Sequence, residues 1–114
     1  MDIDHLLPLP GPVFQILIAL ADGDRHGYAI MQDVAERTSG KTRMSPGTLY
    51  GSIKRMLEQD LIEEVRRRPA PEDDERRRYY RLTKLGRRAA EAEIARMADI
   101  LKQARAHGLA PNRG

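Results

Sequence analysis

Two groups of side chains could do chemistry in this sequence. The first lies in Met44-Ser-Pro-Gly-Thr-Leu-Tyr-Gly-Ser-Ile-Lys-Arg-Met-Leu-Glu-Gln59. It offers Ser45, Gly47, Thr48, Tyr50 and Gly51, then the cations Lys54 and Arg55. The second is a run of arginines: Arg66 and Arg67, then Arg76, Arg77 and Arg78. Guanidinium, ammonium and hydroxyl groups at such density suit phosphate oxygens and base edges. No catalytic chemistry stands beside them. There is no nucleophile-base pair, no paired carboxylates on one expected face and no Gly-rich phosphate loop, so an enzyme is not expected. Asp22, Asp24 and His26 have a spacing that a metal could use. They sit where one helix should end and another begin, so they are read as caps, with no metal and no cofactor.

A helix must position the first group. Ser45 can cap it, and Pro46 then falls at the first helical position, where its missing N–H costs nothing. Leu49, Ile53, Met56 and Leu57 form one apolar stripe. The opposite face is small, polar and cationic, and nearly smooth at Gly51. Glycine inside a helix costs about 1 kcal/mol relative to alanine. On an exposed face it suggests close approach by a partner, as in a reader of the DNA major groove.

The totals bound the rest. In 114 residues, 40% are apolar and only 4% aromatic, so one compact domain with a small aliphatic core is expected, plus an appendage. Such a domain gains stability from oligomerisation. The absence of cysteine excludes thiol catalysis and Cys-ligated zinc, and suits a reducing compartment. The apolar run Val13 to Ala21 is too short to span a bilayer, and the acidic first residues do not resemble a secretory signal. A cytoplasmic protein is therefore expected. The net charge of +3 is unevenly placed. Residues 1–40 hold 2 basic and 6 acidic side chains, whereas residues 41–114 hold 18 basic and 11 acidic. Positive charge concentrated from the reader helix onward points to a polyanionic partner.

Residues 1–11, with Pro8, Pro10 and Gly11, predict an irregular arm, and residues 107–114 a flexible tail. Pro12 opens a first helix to about Ala21, apolar nearly all round. A second helix is expected from His26 to Ser39, with Gly27, Ile30, Met31 and Val34 inward and Gly40 as its stop. Tyr28 is read as a core residue. The second helix and the reader helix make a helix-turn-helix. The period then changes: residues 61–67 and 78–83 read as two strands around a charged loop, which is a wing. Thr83 caps a last helix, residues 84–106. Its Ala90, Ile94, Met97, Leu101 and Ala104 follow a heptad seam, expected to pack with the first helix. The fold class is mainly α with a small two-stranded β wing: a winged helix-turn-helix over residues 12–83 plus a C-terminal dimerisation helix.

The motifs His26-Gly-Tyr-Ala-Ile30, Ser45-Pro-Gly-Thr-Leu-Tyr50 and Arg78-Tyr-Tyr-Arg-Leu-Thr-Lys-Leu-Gly86 together resemble the PadR family of winged-helix transcriptional regulators. The resemblance runs from about Val13 to Ala106. It implies a homodimeric repressor of double-stranded DNA with an inverted-repeat operator, released by a small aromatic or apolar effector. Ser45, Gly47, Thr48, Tyr50, Gly51, Lys54, Arg55, Arg76, Arg77 and Arg78 would meet DNA. Phe14, Ala90, Ile94, Met97, Leu101 and Ala104 would form the dimer interface, and Phe14, Met97 and Leu101 would line an effector pocket. Gly51 departs from the family pattern, which often has proline there. The acidic wing tip Glu72 to Glu75 would repel phosphate, so contact falls to the flanking arginines. The competing reading is a winged-helix module that binds protein and not DNA.

Overall fold

A computed structural model describes residues 3–66 and 77–111. The expected wing tip, with Arg67 and Arg76, lies outside the described residues. The chain runs through a 3-10 turn (Asp4–Leu6), α1 (Gly11–Ala19), β1 (Arg25–His26), α2 (Gly27–Arg37), α3 (Pro46–Glu58), β2 (Ile62–Val65), β3 (Tyr79–Leu82) and α4 (Lys84–Ala106).

The helix boundaries follow local chemistry. Ser45 Oγ accepts the Thr48 N–H at 3.1 Å and caps α3, with Pro46 just inside. At the other end Asp60 takes a left-handed φ of 59°, and the Leu61 N–H reaches back to the Met56 carbonyl. Thr83 Oγ1 caps α4 by accepting the Gly86 N–H. The second helix is shorter than expected at both ends. His26 is its cap and not its first turn, and Ser39 at φ 53° and Gly40 at φ 79° close it, with the Gly40 N–H on the Ala35 carbonyl. α1 begins at Gly11 and ends two residues before the expected Ala21.

The expected two-stranded wing is a three-stranded antiparallel sheet in the order β1-β3-β2. Arg25 and His26 pair with Tyr80 and Tyr79, and β2 pairs with β3 from Ile62–Leu82 to Val65–Tyr79. The sequence conceals β1 because two residues carry no visible alternation. The pairing is fastened instead by Arg81, which donates both Nε and Nη2 to the Asp24 carboxylate at 3.0 Å each. Asp24, expected as a helix cap, therefore acts as a sheet clasp. Asp33 of α2 is paired with both Arg25 and Arg37, and its side chain is largely covered.

Ile16, Leu17, Ile30, Val34, Leu49, Met56, Leu61 and Ile62 are fully buried where α1, α2, α3 and the sheet meet. Each such side chain contributes about 1.5–3 kcal/mol of transfer free energy. The start of α4 closes over this core at Gly86. A Cβ there would collide with the Leu61 carbonyl oxygen, so glycine is what allows the approach.

The N-terminal arm is tied down. Leu9 is buried, Leu6 and Leu7 pack on the core, and the Leu9 N–H donates to Glu93 Oε1 of α4 at 3.4 Å. Glu93 is only 1% exposed and takes two hydrogen bonds from Arg96, at 2.9 and 2.7 Å. The Arg96 hydrogen bonds hold its carboxyl below the usual glutamate range. Burial opposes that shift, and the Leu9 N–H assists it. At the C-terminus α4 closes through Gly108 at φ 75° and the Leu109 N–H on Ala104, and Arg105 donates to the Pro111 carbonyl.

Candidate nucleic-acid interface

An α-helix advances about 100° per residue, so the buried side of α3 locates its free side. Leu49, Ser52, Ile53 and Met56 are buried. Gly47, Gly51, Lys54 and Glu58 therefore form the centre of the exposed face, and all four are exposed. A Cβ at Gly51 would meet nothing within 4 Å, so this face is open over a full turn. Tyr50 flanks it on one side, and Thr48 and Arg55 flank it on the other.

Each flank opens on a different part of the fold. Tyr50 shares a cleft of about 400 Å3 with His26, Gly27, Tyr28, Arg77, Arg78 and Tyr80. The start of α2, the exposed side of α3 and the return strand β3 meet there. Tyr28, read from sequence as core, is 55% exposed in this cleft. The reason is positional: it follows the buried Gly27, whose own face turns inward against Tyr50. Tyr50 is 50% exposed. Burial, with the Glu64 carboxylate adding to it, pushes the Tyr80 hydroxyl up, so Tyr80 stays a neutral donor at physiological pH.

Within the cleft His26 is anchored three ways. Its Nδ1 accepts the Ala29 N–H at 3.1 Å, its Nε2 lies 3.1 Å from Arg77 Nη1, and its ring meets Tyr79 edge-on at 5.3 Å. Sequence reasoning placed His26 only as a cap. Its second contact needed the strand pairing that puts His26 opposite Tyr79. Arg78 stands 3.5 Å from Glu64, with both side chains well exposed, a pairing that contributes little. Arg66 is exposed at the end of β2.

On the other flank Arg55 lies in a groove with His5, Leu6 and Pro8 of the arm. Arg55 forms no ion pair with Glu58, one turn away, among the described residues. Thr48 borders a separate cleft with Phe14, Met44, Arg43 and Met97. Thr48 and Arg55 thus share one line of α3, as their spacing requires, but that line runs along the flank and not the centre of the face.

The expected dimer residues divide in two. Phe14 is half-buried and Ala90 packs on the core, but Ile94, Met97 and Leu101 are exposed by 42–53%. Ile100, absent from the expected seam, is 48% exposed beside them. Only the first half of α4 covers the domain, where Gly86, Ala89 and Glu93 are buried. The expected packing of the seam on α1 is therefore only partial beyond Ala90: Met97 still borders a cleft with Phe14 of α1, while Ile94 and Leu101 are left about half exposed. Among the described residues no three His, Cys, Asp or Glu side chains are grouped to hold a metal ion. Among the same residues no helix is long and apolar enough to cross a membrane.

The model of the transcriptional regulator PadR-like family matches residues 16–92. This chain belongs to the PadR-like family. DNA-binding transcriptional regulation is the functional class it carries. A PadR family transcription regulator from Clostridium difficile R20291 is similar in structure, with 28% identity and a TM-score of 0.70 over 84% of this chain and 96% of that one. A transcriptional regulator from Clostridium thermocellum shares the fold, at 23% identity and a TM-score of 0.71, over 82% of this chain and 86% of the other. In sequence, the PadR-like chain is 42% identical over 85 residues to an uncharacterised 37.1 kDa protein in transposon Tn4556 of Streptomyces fradiae. That match takes in 75% of this chain but 22% of the relative, so the chain spans about a fifth of that protein's length.

Proposed function

We propose that the chain is a homodimeric repressor that reads an inverted-repeat operator through α3. The observation that carries this is the open face of α3, with Gly47 and Gly51 at its centre, Lys54 beside them and the Tyr50 cleft along one edge. Among the described residues, nothing lies within 4 Å of a Cβ placed at Gly51, which leaves the helix backbone open to a duplex there. Lys54 and Arg55 are the cations on the helix, while Arg77 and Arg78 stand at the wing for the flanking phosphates. Ser45 acts mainly as a cap, and the α3 N-terminus it closes favours phosphate.

One reader helix covers only a few base pairs. Two copies held about 34 Å apart would place successive major grooves on one side of the duplex. The exposed stripe Ile94, Met97, Ile100 and Leu101 supports pairing through α4, with Ala104 between its turns. The cleft of about 410 Å3 between Phe14, Met44 and Met97 is the place for an apolar effector, because it joins α1 and α4 to the start of α3 at Thr48. Occupancy there would bias the angle between the dimer helix and the reader.

Electrophoretic mobility shift against the DNA upstream of the protein's own gene tests the reading, paired with sedimentation for the dimer. A retarded complex that resists excess random duplex is expected. A dimer that ignores every duplex offered, yet captures a protein partner, would favour the protein-binding alternative.

A further inference from the structure

Glu93 is the last buried residue of α4, and its carboxylate serves two elements at once. Arg96, one turn on, donates Nε to Oε1 and Nη2 to Oε2. From the N-terminal arm the Leu9 N–H reaches Oε1 at 3.4 Å. Pro8 and Pro10 flank that donor, and proline has no N–H, so Leu9 supplies the one backbone donor of residues 8–10. The two proline rings also restrict φ on either side, which makes this stretch of arm stiff. A buried donor that loses its acceptor must find water or stay unsatisfied at a cost. Without Glu93 the Leu9 N–H would be drawn toward solvent, and the stiff arm would move with it.

The same arm meets α3. His5, Leu6 and Pro8 wall a groove of about 270 Å3 that takes in Arg55 and Gln59. Arg55 is exposed, and among the described residues no hydrogen bond or ion pair holds its guanidinium. A long side chain without a fixed partner keeps rotamer freedom that binding must remove. The arm removes part of that freedom in advance by closing one side of the groove. One line of contacts thus runs from Glu93 on α4, through Leu9 and the arm, to Arg55 on α3.

We propose that Glu93 is a positioning residue for operator reading: by holding the Leu9 N–H it keeps the arm against α3, and the arm aims Arg55 at the duplex. This rests on the DNA-binding reading above. Glu93 itself touches no DNA. Its effect therefore falls on the preference for operator over random duplex, and it passes through Arg55. The hold sits where α4 leaves the domain, beside Ile94 and one turn before Met97.

The test compares the full-length wild type with Glu93→Leu, Arg55→Ala and the double variant, each titrated with operator and with random duplex at fixed salt. Leucine is close to glutamate in size but offers no acceptor. Thermal melting gives the folded fraction of each protein. Glu93→Leu should lose roughly three- to tenfold in operator preference, at the base pair where Arg55→Ala also relaxes it. In the Arg55→Ala background Glu93→Leu should cost nothing further, because residues that act through one another are not additive. Equal losses on operator and random duplex, or the same loss with Arg55 present and absent, would leave Glu93 a stability role only and overturn the proposal. Leu6→Ala is a second variant, which thins the groove wall but leaves Glu93 bonded to Leu9. It should show the same operator-selective loss, and an unchanged preference would sink the idea. Failure of the wild type to bind any duplex would overturn the DNA reading itself. Normal operator binding with no loss of preference in Arg55→Ala would overturn this assignment alone.

Discussion

The hydroxyl of Tyr50 rests on the backbone of Gly27: a Cβ at position 27 would stand 2.6 Å from the Tyr50 oxygen. This packing joins the start of α2 to α3 and shapes the cleft that also holds His26, Arg77 and Arg78. The atom that must yield is the far end of a side chain that is half exposed. Gly27→Ala should therefore leave melting almost unchanged but swing Tyr50 outward, and DNA affinity should fall severalfold. Gly86 is the contrasting case. There the obstacle is the Leu61 backbone carbonyl, which cannot swing away. Gly86→Ala should destabilise the fold by roughly 1–3 kcal/mol or more, the usual cost of forced overpacking. Thermal melts of the two variants, compared side by side, would test both statements.

Arg55 lies on the flank of α3 beside the arm. If it reaches a base edge, Arg55→Ala should cost about 1–3 kcal/mol on operator and relax preference at one position per half-site. Titration against operator variants and random duplex measures this. An equal loss on random DNA would make Arg55 a phosphate ligand instead.

Arg77 and Arg78 are exposed beside the cleft and should supply affinity that ignores sequence. Changing both to alanine should weaken operator and random duplex by similar factors. The slope of log affinity against log salt should flatten by roughly 0.9 for each phosphate that the variant no longer neutralises. An unchanged slope would remove the wing return from the interface.

Leu101 is 42% exposed in the distal half of α4, beside Met97 and Ile100. Leu101→Asp would bury a charge in a paired α4 face, at a cost of several kcal/mol per copy. The winged helix should stay folded, because α4 covers the core only as far as Glu93. Sedimentation should show a monomer or a much weaker dimer, and operator binding should drop steeply. A variant that stays dimeric at micromolar concentration and binds normally would place the dimer interface elsewhere.

Glu93 gives the fold an acid limit. Its carboxyl is held below the usual range by Arg96, so the folded state binds that proton less readily than the unfolded chain does. Its contribution is complete above the ordinary glutamate pKa and is lost as pH falls through the lowered value. Glu93→Gln should cost about 1–3 kcal/mol near neutrality and flatten the decline in melting temperature under acid. It should also expose the arm at Leu9 to proteolysis, since the Leu9 N–H bonds to this carboxylate. An acid profile identical to wild type would deny Glu93 this role.

The sequence by itself determined the elements whose causes are local. Ser45-Pro46 and Thr83 mark where α3 and α4 begin, because a capping hydroxyl acts within three residues. The stripe Leu49, Ile53, Met56 declares which side of α3 is buried, and the three spaced motifs declare the family. Tertiary structure decided whatever depends on partners distant in sequence. β1 exists because Asp24 clasps Arg81, 57 residues away, and two residues alone show no period. Glu93 holds the arm across 84 residues, so an arm that reads as irregular is fixed. Tyr28 and His26 read as core and cap from their neighbours in sequence, and became cleft residues only once β3 returned beside them. The direction of Thr48 and Arg55 followed the same rule. Spacing put them on one line of α3, but only the packing of α1 and the arm showed that this line is a flank.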